Sequence, residues 1–353
     1  MNKKEPSILQ IGLGAFGWNH LCAWQELGVR EHYWLAETDA VRRERAVSQY
    51  GLARDHVVSD YRQLLDRVDI VDVVTPTDSH FGLCREALEA GKDVFVEKPM
   101  TMDANQAREV SELVRKSGCV LQVGYYYRCH PTARKVKTWL DAVELGQLRY
   151  LSGSFMGFKR ARTDVGVTHT DAVHFIDLFN WLLDAFPHEV YAVTRDHFKR
   201  GLEDWSLVLL HYPGDVVAKV ESGYIQPGRW RDKVVPNAFT TKEIAVCGSA
   251  ATAEVDFEQE TVQLHRVCHE NRKGVWAAVV AGSETPNVGT AAPIQMIATE
   301  LQQFLDSVRD RSDPDANART AGLGMAHVVE AIYASARSGK LEKVSDLGMN
   351  FTA

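Results

Sequence analysis

The sequence predicts two domains: an N-terminal α/β domain on a doubly wound parallel sheet, residues 1–124, and a C-terminal α+β domain with a mostly antiparallel open sheet flanked by helices, residues 125–353. Three observations carry that reading. Short apolar runs alternate with stretches of helical period through the first third of the chain. A glycine-rich turn, Gly12-Leu13-Gly14-Ala15-Phe16-Gly17, sits between the first strand-like run and the first helix-like stretch. Beyond residue 189, strand-like segments crowd together with no helix between them. At 353 residues the chain is also longer than one ordinary core organises.

In order, residues 7–11 read as a strand, 16–27 as a helix, 33–36 as a strand and 40–50 as a helix. The alternation continues with a strand at 69–74, a helix to 90, a strand at 93–96, a helix to 116 and a strand at 120–123. Strand and helix in strict alternation specify parallel crossovers, hence the doubly wound sheet. From residue 125 the character changes, with a helix at 132–144, a strand at 148–155 and a helix at 170–183. Strand-like segments follow at 191–194, 206–211, 216–223 and 243–246, and two helices near 294–308 and 322–338 close the chain.

The 45% hydrophobic and 25% charged content is that of a soluble globular protein. A net charge of -7 gives no general attraction to nucleic acid or to an anionic membrane, so neither is an expected partner. Cys22, Cys84, Cys119, Cys129, Cys247 and Cys268 have no compact metal-ligand spacing, which fits free thiols in a reducing compartment and predicts no metal. Pro6, Gly12, Gly14 and Gly17 interrupt the N-terminal apolar run well short of a signal core, so a cytoplasmic location is expected.

The glycine turn is the first chemical motif. Gly12 permits a tight turn, Gly14 lets backbone approach a pyrophosphate, Gly17 allows close helix packing, and the helix start at Ala15 and Phe16 aims its amides at phosphate. Glu37 ends the next strand about 20 residues on, where a carboxylate holds the adenosine ribose hydroxyls and repels a 2'-phosphate. NAD is therefore expected over NADP, although Arg42 and Arg43 soften the preference. Thr75-Pro76-Thr77-Asp78-Ser79-His80 follows another strand at the ligand-binding edge, which makes Thr75, Pro76 and His80 cofactor candidates; a plain helix cap is the alternative. Glu97-Lys98-Pro99 leaves the strand at 93–96 on that same edge. Glu97 helps to fix the segment, Pro99 stiffens a turn that accommodates a cis bond, and Lys98 can hydrogen-bond a reacting hydroxyl. Taken alone, Lys98 also reads as a solvated lysine at a strand end.

These motifs, with the stretch EALEAGKDVFVEKPM at residues 86–100 and a later acid and histidine, resemble the glucose-fructose oxidoreductase and inositol dehydrogenase family, Gfo/Idh/MocA, over nearly the whole chain. Gly124 to Arg128 with His130-Pro131 resembles the family's crossover into its second domain, and residues 331–339 its last helix. The resemblance implies an NAD-binding Rossmann domain, Lys98 as the catalytic-site lysine, and an Asp-x-x-x-His element in which histidine exchanges the hydroxyl proton. His174 matches that histidine. The place four before it is Thr170, and the acid, Asp171, lies three before; both spacings return to one α-helical face, where Asp177 competes as a partner.

Lys159-Arg160-Ala161-Arg162 and Arg229-Trp230-Arg231-Asp232-Lys233 are the concentrated basic stretches. Arg160, Arg162 and Arg229 would suit a carboxylate or phosphate, as on a sugar acid, sugar phosphate or nucleotide sugar, with solvated loops as the alternative. Tyr125, Tyr127 and Arg128 stand at the crossover as candidate substrate contacts, the tyrosines by offering flat faces to a sugar ring. The resemblance thus implies an NAD-dependent oxidoreductase acting on a carbohydrate-like small molecule, and a homodimer or homotetramer through the C-terminal sheet. An NAD-dependent glycoside hydrolase using transient redox chemistry and a non-catalytic dinucleotide-binding regulator stand as alternatives.

Overall fold

The computed structural model describes residues 5–29, 31–290 and 292–345. Two compact units emerge: one runs to Tyr126 and takes in Pro293–Ala326, the other comprises Tyr127–Ala292 and the chain from His327. The stretch 293–326 thus joins the first unit, although the sequence places everything beyond residue 124 in the second.

In the first unit the chain follows the alternation of its sequence: β1 (Ile8–Ile11), α1 (Gly17–Glu26), β2 (Tyr33–Ala36), α2 (Ala40–Tyr50), β3 (Val57–Val58), β4 (Ile70–Val73), α3 (His80–Glu89), β5 (Asp93–Glu97), α4 (Ala104–Ser117) and β6 (Leu121–Gly124). The six strands form one parallel sheet in the order β3-β2-β1-β4-β5-β6. Every residue of β1, β2, β4, β5 and β6 is buried, as a parallel sheet covered on both faces requires. Register fixes what matters for function. Ile11 pairs with Val73 and Val73 with Val96, so the chain leaves β1, β4 and β5 at one edge, carrying Gly12, Thr75 and Lys98 there together.

The second unit holds α5 (Pro131–Asp141), β7 (Leu148–Phe158), α6 (Val173–Leu183), β8 (Glu189–Arg195), β9 (Trp205–Tyr212), β10 (Val216–Gly223), β11 (Trp230–Arg231), β12 (Phe239–Gly248), β13 (Thr252–Asp256), β14 (Thr261–Arg272) and β15 (Val275–Glu284). Next, α7 (Pro293–Asp310) packs in the first unit, where Phe304 meets Phe95 with ring centroids 5.7 Å apart. Finally α8 (Met325–Ser338) and β16 (Glu342–Lys343) end the described chain. The sheet runs β15-β14-β13-β12-β7-β10-β9-β8-β16, with β11 beside β12; β7 and β10 are parallel and the other pairs antiparallel.

Two features depart from the expected elements. The long β14–β15 hairpin extends past the strand segments that the sequence marks, because β15 (VWAAVVAGSE) is an edge strand lying mostly in solvent; backbone pairing with β14 holds it, and no apolar alternation marks it. Before α6, residues Thr168–Ala172 form a π-helical turn in which Val173 N–H bonds the Thr168 carbonyl, so the α-helix starts at Val173 and not at residue 170. Among the described residues no helix is long and apolar enough to cross a membrane.

Candidate active site

The glycine turn divides its work between the protein and a ligand. Gly12 has φ +99°, and a Cβ there would lie 2.8 Å from the Val74 carbonyl oxygen; one at Gly17 would lie 2.6 Å from the Gly12 carbonyl oxygen. The fold itself requires those two glycines. A Cβ at Gly14 would meet nothing within 4 Å, so the fold's own packing does not require that glycine, and the space beside it is open to a pyrophosphate. Just beyond, α1 begins with Phe16 at its N-cap, no side-chain cap and no acid in its first turn, which leaves helix-start amides for phosphate oxygens. A dinucleotide fits these residues. Gly14→Val is accordingly expected to keep the wild-type melting temperature within about 2 °C while weakening NAD binding more than about tenfold, measured by scanning calorimetry and titration calorimetry.

Glu37, at the end of β2, is buried and held by backbone: Oε2 accepts from Leu13 N–H at 2.7 Å and Oε1 from Asp39 N–H at 2.8 Å. Its carboxylate therefore faces the glycine turn. Arg42 lies 3.6 Å from Oε2, and Arg43 bonds the carbonyls of Glu37 and Thr38. Across the sheet edge, Thr75 Oγ1 and Ser79 Oγ are 2.6 Å apart, and Pro76 leads into a single turn ahead of α3. The buried His80 ring joins two loops, with Nε2 2.9 Å from the Thr75 carbonyl oxygen and Nδ1 2.9 Å from that of Pro99. The Lys98–Pro99 bond is cis.

A charged group that the sequence reading passed over lies directly beneath. His20, fully buried on α1, stands with Nδ1 3.0 Å from Asp72 Oδ2 and Nε2 3.3 Å from Glu97 Oε1. Trp24 donates its indole N–H to the same Asp72 oxygen at 2.7 Å. Burial alone would lower the His20 pKa, yet Asp72 and Glu97 together outweigh it and raise it to about 10. The available signal was the aspartate in the middle of the buried strand IVDV, which needs a polar partner from the helix above.

In the second unit, Asp171 lies on the π turn that precedes α6, and His174 lies in the first turn of α6. Asp171 Oδ1 accepts from Lys159 Nζ at 2.6 Å, and Oδ2 is buried with no hydrogen-bond partner among the described residues. The same ammonium sits 4.5 Å from the Phe155 ring centroid, and Phe155 stacks on the His174 ring at 6.1 Å. Tyr127 meets His174 edge-on at 5.2 Å. Asp177 is taken up by Arg128, whose Nε and Nη2 reach its two oxygens at 2.8 and 2.5 Å, both side chains being buried. Burial raises the Asp177 pKa against the opposing pull of Arg128.

Tyr125 belongs to the first unit and is buried with its amide on Glu300, whereas Tyr127 is buried in the second. Arg162 pairs with Asp164, Arg229 pairs with Glu243, and Arg160 is exposed. Acids of the same unit also neutralise Lys233, through Glu260, and Lys242, through Asp232 and Glu258. Among the described residues no group of His, Cys, Asp and Glu is placed to hold a metal ion.

Residues 7–125 match the oxidoreductase family with an NAD-binding Rossmann fold, and residues 133–254 match the Gfo/Idh/MocA C-terminal domain. The chain belongs to the Gfo/Idh/MocA oxidoreductase family. It is 24% identical over 352 residues to D-apiose dehydrogenase of Paraburkholderia graminis, a match covering 96% of this chain and 89% of that one. To scyllo-inositol 2-dehydrogenase (NAD(+)) of Bacillus subtilis it is 33% identical over 200 residues, 54% of this chain and 57% of the relative. Several curated relatives are matched over little more than half their length. A levoglucosan dehydrogenase solved with NADH and L-sorbose shares the fold at a TM-score of 0.82 and 18% identity, covering 97% of this chain and 99% of that one. This Gfo/Idh/MocA protein is thus an oxidoreductase with NAD as its cofactor, which the open space at Gly14 and the backbone-held Glu37 accommodate.

Proposed function

We propose that this oxidoreductase moves a hydride between NAD and a ring hydroxyl or ketone of a neutral sugar or cyclitol. The observation that carries the reading is the common sheet edge where the open glycine turn, the Thr75–Pro76 turn and the Lys98 turn stand side by side. Relatives named for D-apiose, scyllo-inositol and UDP-N-acetylglucosamine support a carbohydrate-like substrate. The nicotinamide, when bound, supplies the hydride acceptor or donor. Lys98 hydrogen-bonds the reacting oxygen and favours negative charge on it, and His174 takes up or returns its proton, a transfer suited to imidazole near neutral pH. Asp171 anchors Lys159 over Phe155, beside the His174 ring.

The buried pairing of Lys159 with Asp171, and of Lys242 with Asp232 and Glu258, favours a neutral polyol over a sugar acid or phosphate. Purified protein with NAD is expected to show reduced-nicotinamide absorbance with members of a panel of scyllo-inositol, D-apiose and levoglucosan, and less with glucose 6-phosphate, gluconate or UDP-N-acetylglucosamine. Alcohol released from a glycoside without accumulating reduced cofactor, or tight NAD binding with no turnover of any panel member, would overturn the reading. Glu37→Ser is expected to raise the NADP-to-NAD ratio of kcat/KM by about tenfold or more, by removing the carboxylate that repels a 2'-phosphate.

A further inference from the structure

We propose that His20 is a positioning residue for the reaction: its ring ties Glu97 to Asp72 and thereby sets the turn that presents Lys98. The proposal rests on the role given to Lys98 above. A carboxylate oxygen only accepts hydrogen bonds, so with Asp72 Oδ2 at Nδ1 and Glu97 Oε1 at Nε2 both ring nitrogens donate, and a doubly donating imidazole is the cation. The ring is enclosed by Asp72 from β4, by Glu97 and the Phe95 ring from β5, and by Phe16 and Trp24 from its own side of the sheet.

Glu97 is packed from its other side as well, since a Cβ at Gly124 on β6 would lie 2.5 Å from Glu97 Oε1. It is the last residue of β5, and Lys98 follows immediately. On the far side of Lys98, the Pro99 carbonyl is held by His80 at 2.9 Å. The lysine is therefore flanked by two residues, each tethered by a buried histidine, and the His20 tether is ionic at both ends. Removing His20 takes away the cation that the two buried carboxylates share, and Glu97 is the one at a strand end that can move away. The lysine would move with it.

Hydrogen–deuterium exchange of the NAD-bound protein provides the direct test. In His20→Gln, amides of residues 97–101 are expected to exchange about tenfold faster than in wild type, with α3 and α4 within about twofold. A rise spread evenly over the first unit, or none at 97–101, overturns the proposal. Should His20→Gln show no cooperative melting, Glu97→Gln cuts the same tether and is read in the same way. Kinetics with the fastest panel substrate give the second readout: kcat about tenfold lower, KM for NAD within about threefold, and no further loss when His20→Gln is added to Lys98→Ala. An equal loss in both backgrounds overturns it. Lys98→Ala turning over at the wild-type rate would instead remove the role of Lys98, while the exchange pattern would still report the tether.

Discussion

Replacing Lys98 by alanine is expected to lower kcat by about 100- to 1000-fold, the usual effect of losing one oriented donor to a developing oxyanion. Lys98 is half-buried, one residue beyond a fully buried strand, and the melting temperature should stay close to wild type. The Lys98→Arg variant should recover little, because the planar guanidinium of a longer side chain places its donors differently from a compact ammonium. Steady-state rates with the best panel substrate and a melting curve decide the matter. A rate within a few-fold of wild type in Lys98→Ala would remove the residue from the chemistry.

The second large effect concerns stability. Arg128→Met is expected to cost about 3–5 kcal/mol, because it strands the Asp177 carboxylate in a buried site. Burial already pushes the Asp177 pKa up, and loss of the opposing guanidinium pushes it further, so the variant should protonate Asp177 or unfold. Adding Asp177→Leu should restore much of the loss, since no buried charge then lacks its partner. Urea unfolding of wild type, Arg128→Met and the double variant measures this. A variant as stable as wild type but with a raised KM for substrate would return Arg128 to the binding role that its place at the crossover first implies.

The contrast between Arg128 and Glu37 shows what the residue pattern conveys. The place of Glu37 was legible because its setting is local: a strand, a glycine turn and an acid at a set separation specify one geometry, and the backbone amides of Leu13 and Asp39 hold it there. Arg128 and Asp177 are 49 residues apart, and nothing near either one announces the other. His20 was missed for the same reason, its partners lying 52 and 77 residues away. A three-residue spacing such as that of Asp171 and His174 has a fixed meaning only where the helix type is known, and the π turn at 168–172 is not readable from residue types.

The chain's own letters determined the alternating parallel sheet, the dinucleotide turn and the edge on which Lys98 emerges, because each follows from periodicity and from glycine stereochemistry acting over a few residues. Only the folded structure decided which charges meet: Lys159 with Asp171, Arg128 with Asp177, and His20 between Asp72 and Glu97. Buried charges must find counter-charges wherever packing brings them, and packing joins residues by distance in space, which sequence separation does not encode.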